Sequence, residues 1–132
     1  MAYLRPPLLV RRVFNPLAMA LGLGGSITLV VAGRTTGTPR RLPVITVEVD
    51  GVRYLVSTRG ESDWVRNLRA AGGRGEQRSK SSSGPFVATE IPVAARPDIL
   101  RAYRRVAGKT VDAYFKKLPD PADHPVFRID PA

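Results

Sequence analysis

The stretch Arg41-Leu42-Pro43-Val44-Ile45-Thr46-Val47-Glu48-Val49-Asp50-Gly51-Val52-Arg53-Tyr54-Leu55-Val56-Ser57-Thr58 decides the fold. Two runs rich in β-branched and aromatic residues flank an Asp-Gly pair, which supplies the two positive-φ positions of a tight hairpin. The pattern predicts antiparallel strands over 41–49 and 52–58. Upstream, Ser26–Ala32 is another β-branched run, and Gly33 to Arg40 reads as the turn between them. Downstream, Gly60-Glu61-Ser62-Asp63 opens a helix with Ser62 or Asp63 as its cap. Trp64, Leu68 and Ala71 share one face of that helix, and Gly72-Gly73 stops it.

The remaining chain alternates in the same way. Residues 74–80 are polar and read as a solvated strand or a loop, 81–84 as a flexible connector, and 86–93 as a strand. Pro97 opens a helix whose inner face carries Ile99, Leu100, Tyr103 and Val106 and which ends at Gly108. A short helix follows over 110–118, then a proline-marked loop and a closing strand over 126–129. Hairpin-linked strands with helices at their edges give an α+β fold built on a small antiparallel barrel.

The length of 132 residues fits one domain, and no linker divides it. Residues 1–25 are expected to form an N-terminal helix, opened by Pro6-Pro7 and broken by Gly22, Gly24 and Gly25, ahead of a barrel domain over 26–132. Its apolar stretch is too short to span a bilayer, and it lacks a clean cleavage site for a signal peptide. Such a basic helix packs on the domain or touches a membrane surface. The expected location is cytoplasmic, with association at the inner face of the membrane left open.

The ionic balance is strongly positive: 21 Lys and Arg against 11 Asp and Glu, a formal charge of +10. Such a field attracts nucleic acid, anionic lipid or a phosphate-bearing cofactor without choosing among them. The chain has no cysteine and a single histidine, His124. Disulfides, thiolate nucleophiles and the usual zinc sites are therefore excluded, and no metal site is expected. Redox or transfer chemistry would have to come from a bound cofactor.

Two segments could hold one. Gly33-Arg34-Thr35-Thr36-Gly37-Thr38-Pro39-Arg40-Arg41-Leu42-Pro43 combines glycine-permitted turns, hydroxyls and arginines, the parts of a phosphate cradle or of a merely basic hairpin turn. Ser57-Thr58-Arg59-Gly60 ends a strand just before a helix, whose N-terminal N–H groups attract anions. The segment Leu21-Gly22-Leu23-Gly24-Gly25-Ser26 precedes a strand rather than following one, so it is no dinucleotide loop.

Taken in order, these segments resemble the deazaflavin-dependent nitroreductase family: the Gly33–Pro43 turn, Asp50-Gly51, Thr58-Arg59-Gly60 and Trp64-Val65-Arg66-Asn67-Leu68. The resemblance implies a split β-barrel and coenzyme F420, an 8-hydroxy-5-deazaflavin with a phosphodiester and an oligoglutamate tail, in preference to FMN. It implies that Arg34, Thr36, Arg40 and Pro43 meet the cofactor from the first loop. Thr58, Arg59 and Gly60 meet it from the second, with Trp64 and Asn67 beside the site. Thr35 stands where many members carry lysine. The implied activity is hydride transfer to a small organic acceptor such as a quinone or nitroaromatic compound, with Thr58 and Tyr114 as catalytic candidates and Tyr103 behind them. Two other readings remain at this point. One is a non-catalytic split barrel that binds a flavin, haem or lipid, and a homodimer is open in either case. The other is a nucleic-acid-binding domain, disfavoured because no aromatic residue interleaves Arg74, Arg78 and Lys80.

Overall fold

The computed structural model describes residues 26–79 and 83–132, so the expected N-terminal helix and residues 81–82 of the connector lie outside the described residues. Six strands are present: β1 (Ser26–Ala32), β2 (Pro39–Val49), β3 (Val52–Val56), β4 (Arg74–Arg78), β5 (Ser83–Glu90) and β6 (Val126–Pro131). Three helices accompany them: α1 (Asp63–Ala70), α2 (Arg96–Ala107) and α3 (Asp112–Lys117). The strands close into an antiparallel barrel in the order β1-β2-β3-β6-β5-β4, and β4 returns to pair with β1. The β2–β3 hairpin turns on Asp50 and Gly51, both at positive φ.

Alternation along the strands divides the apolar residues into two layers. Ile27, Leu29 and Val31 of β1, Leu55 of β3, Phe86 of β5 and Phe127 and Ile129 of β6 fill the barrel, and Trp64, Val65 and Leu68 of α1 complete that cluster. On the outer face, Ile45 and Val47 of β2 and Val56 of β3 pack against Ile99, Leu100 and Tyr103 of α2 and Tyr114 and Phe115 of α3. The run Val44-Ile45-Thr46-Val47 is therefore apolar without alternation because both of its faces are covered.

Some local expectations are corrected. Strand β2 begins at Pro39 rather than Arg41, because Ala32 pairs with Pro39 and the ladder starts at the turn itself. The third strand ends at Val56 rather than Thr58, and the fifth runs over Ser83–Glu90. Val106 is exposed, whereas Ala107 is buried. At about 100° per residue, 106 lies about 60° to one side of Tyr103 and 107 only about 40° to the other. Ser62 occupies the N-cap position of α1, but its side chain does not cap the helix.

The Gly72-Gly73 stop does more than end α1. Gly73, at φ 82°, receives the N–H of Ala88 on its carbonyl at 2.7 Å, and any Cβ at this position would overlap the Ala88 carbonyl oxygen. Gly72 also has positive φ but faces open space. Gly72→Ala is expected to cost about 1 kcal/mol, the strain of a left-handed conformation. Gly73→Ala should cost clearly more and weaken the α1–β5 junction. Chemical denaturation of the two variants checks this, and equal losses would refute the overlap.

Candidate functional site

The first cofactor segment folds as the β1–β2 turn. Gly33 donates its N–H to the Thr38 carbonyl and Gly37 donates back to Gly33, both at 2.8 Å; Gly37 sits at φ 76°. The Thr36 hydroxyl is used inside the turn, accepting from the Thr38 N–H at 3.3 Å and donating to the Thr38 hydroxyl at 3.1 Å. Arg40 lies beside Gly33, its Nε near the position a Gly33 Cβ would take. Arg34, Thr36 and Arg40 are exposed and Pro43 is half-buried.

The second segment is the bend between β3 and α1. Ser57 donates its hydroxyl to the Gly60 carbonyl and faces the Ser62 hydroxyl at 3.3 Å, and Gly60 turns at φ 84°. The Ser62 hydroxyl is turned into the bend toward Ser57 rather than toward the N–H groups of α1. The first turn of α1 thus has no side-chain cap, which leaves its N–H groups for another acceptor.

Asn67 ties the first segment to α1. Its Oδ1 accepts from the Arg34 N–H at 3.1 Å and from the Arg34 guanidinium at 2.8 Å, and Asp63 adds an exposed ion pair to Arg34 at 3.4 Å. Asn67 is buried, so the turn is anchored to α1 by a side chain water does not reach. Trp64 is 6% exposed and packs its ring against Phe127 inside the barrel, centroids 6.0 Å apart. It is part of the barrel-side core rather than an exposed surface.

Arg59 precedes Gly60 in the bend between β3 and α1. Its Nε is buried with no hydrogen-bond partner, and its charge acts on the Tyr103 phenol. Burial pushes Tyr103 well above the ordinary phenol value of 10.0, and Arg59 pulls it partly back. Tyr114 is packed between α3 and the outer face of the sheet, and its hydroxyl too is buried without a partner.

An ion network not legible in the sequence braces this end. Arg69 of α1 contacts Glu61 at 2.6 Å and Glu90 of β5 at 2.7 Å. Arg96 reaches Glu90 at 3.4 Å and donates to the carbonyls of Ile91 and Pro121. Nothing local in the sequence pairs residues so far apart, although an arginine at the buried start of an amphipathic helix was a signal. A separate groove of about 480 Å³, lined by Leu100, Arg104, Phe115 and Pro119 among others, includes none of the residues expected to hold the cofactor. Among the described residues, no cluster of acidic or histidine side chains could hold a metal ion. No helix among them is long and apolar enough to cross a membrane.

The sequence pattern of the F420H(2)-dependent quinone reductase family matches residues 9–118. The chain belongs to that family. It is an F420H2-dependent oxidoreductase, its cofactor is coenzyme F420 and its substrate is a small molecule. No curated protein matches the chain. Among solved structures, an F420-H2 dependent reductase (FDR-A) is similar at 20% identity and a TM-score of 0.60, over 80% of this chain and 93% of that one. A domain-swapped dimer is similar at 18% identity and TM-score 0.61, over 92% and 97% of the two chains. HutZ, the heme storage protein from Vibrio cholerae, is similar at 11% identity and TM-score 0.56, over 83% and 82%. These likenesses establish the split-barrel fold of the reductase. The fold itself does not choose a cofactor.

Two measurements probe this geometry. Asn67→Ala should cost about 1–3 kcal/mol, as the Arg34 donors lose a buried acceptor, and should speed amide exchange at Arg34; unchanged exchange there would remove Asn67 as the anchor. For Tyr103 the folded value lies above the unfolded one, so its contribution is intact below about pH 10 and is lost as pH rises beyond it. Stability measured against pH should therefore fall less steeply on the alkaline side for Tyr103→Phe than for the parent protein.

Proposed function

We propose that the anionic groups of coenzyme F420 are gripped between the β1–β2 turn and the β3–α1 bend. Arg34, Thr36, Arg40 and Pro43 contribute from the turn, and Thr58, Arg59 and Gly60 from the bend. The observation that carries this reading is the buried Arg59 Nε without a partner, on the bend that leads into a helix no side chain caps. A dry guanidinium N–H costs about 1–3 kcal/mol, and an anionic oxygen relieves that cost with a charge-assisted bond. The donor set fits the group: guanidinium, hydroxyl and backbone N–H donors suit a phosphodiester and carboxylates.

Trp64 and Asn67 act from below, one as packed support and the other by tying the turn to α1. When bound, the reduced deazaflavin supplies the hydride, and the acceptor is a small quinone or nitroaromatic compound. Thr58 offers that acceptor a hydroxyl at the bend. Tyr114 is the second candidate, its phenol hydroxyl being buried without a partner. The likeness to a domain-swapped dimer favours a homodimer. Peripheral membrane contact, if made, falls to residues 1–25.

Absorbance titration tests the grip. Saturable binding of F420 is expected, with FMN weaker. Arg59→Ala and Arg40→Ala should each weaken F420 binding about tenfold, the equivalent of one charge-assisted hydrogen bond, with folding retained. Unchanged affinity in both variants, or tight FMN binding without a response to F420, would overturn the reading.

A further inference from the structure

We infer that His124 is the positioning residue of the β3–α1 bend, fixing the peptide that presents Thr58 and Arg59 to the cofactor. This inference rests on the site proposed above. His124 is fully buried, and its ring lies against Phe115 with centroids 4.3 Å apart and planes 23° apart. Nδ1 faces the Ser57 carbonyl oxygen at 2.9 Å, and Nε2 faces that of Leu118. The imidazole thus bridges two carbonyls 61 residues apart in the chain.

The consequence for the bend follows from peptide planarity. The Ser57 carbonyl and the Thr58 N–H belong to one rigid plane, so a side chain that orients the carbonyl also orients the N–H offered at the bend. The neighbouring plane is held too, because the Ser57 N–H donates to the Pro125 carbonyl at 2.9 Å. His124 itself is fixed by the Arg96 guanidinium, which donates to its carbonyl at 3.4 Å. The ring, the backbone on either side of it and Arg96 therefore act as one clasp on Ser57. No other side chain among the described hydrogen bonds reaches that carbonyl.

Asparagine and glutamine separate positioning from packing. The amide nitrogen of asparagine takes the place of Nδ1 and that of glutamine the place of Nε2. With the ring proton on Nδ1 the Ser57 carbonyl accepts from His124; His124→Asn retains that donor, whereas His124→Gln moves the donor to the Nε2 side and leaves the Ser57 carbonyl without one. Both variants give up the ring packed against Phe115, so losses in Tm are expected in both. F420 affinity, measured by titration, should fall about tenfold in His124→Gln and stay within about threefold of the parent in His124→Asn. Equal affinities in the two variants would overturn the inference.

Arg59→Ala in the same titration distinguishes the two levels. If it binds F420 like the parent, the site itself is wrong; if it weakens binding while His124→Gln does not, only the role of His124 fails. Should His124→Gln not fold, the parent protein still gives a test. Its single histidine is resolved by nitrogen NMR, and the Nδ1 signal should shift on addition of F420. A Nδ1 signal unmoved at saturating F420 would overturn the proposal.

Discussion

The fold depends on β6, which is inserted between β3 and β5. Without it the sheet is open, and the interior faces of both neighbours are left without Phe127 and Ile129. The pairing of Val56 with Val126 also sets the position of what precedes each strand end. It carries His124 and Pro125 up against Ser57. A hydrophobic requirement, closing a barrel around a filled core, thereby places the last part of the chain at the bend that leads into α1.

The second layer serves the same end of the molecule. Helix α2 covers the outer face of β2 and β3, buries Tyr103 there, and sends Arg96 to the backbone of the loop that holds His124. The pairs linking Glu61, Arg69, Glu90 and Arg96 join the start of α1 to β5 and α2. Exposed pairs of this kind contribute little singly, but here Arg96 is buried and satisfied by several acceptors. The two arginine-bearing segments consequently rest on fixed supports, as the proposed cofactor site requires. A similar barrel serves a heme storage protein, so the chemistry of this reductase lies in the segments the barrel displays.

Much of this was legible in the chain. Asp50-Gly51 named its own turn, since few residues other than glycine, aspartate and asparagine adopt positive φ. The strands over 26–32 and 41–49, the helix after Asp63 and its glycine stop were set by composition and spacing. Both anion-suited bends were visible as combinations of glycine, hydroxyl and arginine. Hidden from that reading were the turn of the Ser62 hydroxyl toward Ser57 and the exposure of Val106 in place of Ala107. In each case packing in the folded chain won over a local preference: the bend for the hydroxyl, the β2 surface for the helix face.

The sequence by itself determined the elements, the turns between them and the family, because dihedral preference and hydrophobic period act over a few residues. The tertiary structure alone decided which distant residues meet. Asn67 reaches Arg34 across 33 positions, and His124 reaches Ser57 across 67. Such contacts form only after strand pairing has closed the intervening loops. Polar groups distant in sequence become neighbours because the core brings them there, and burial then obliges them to find each other.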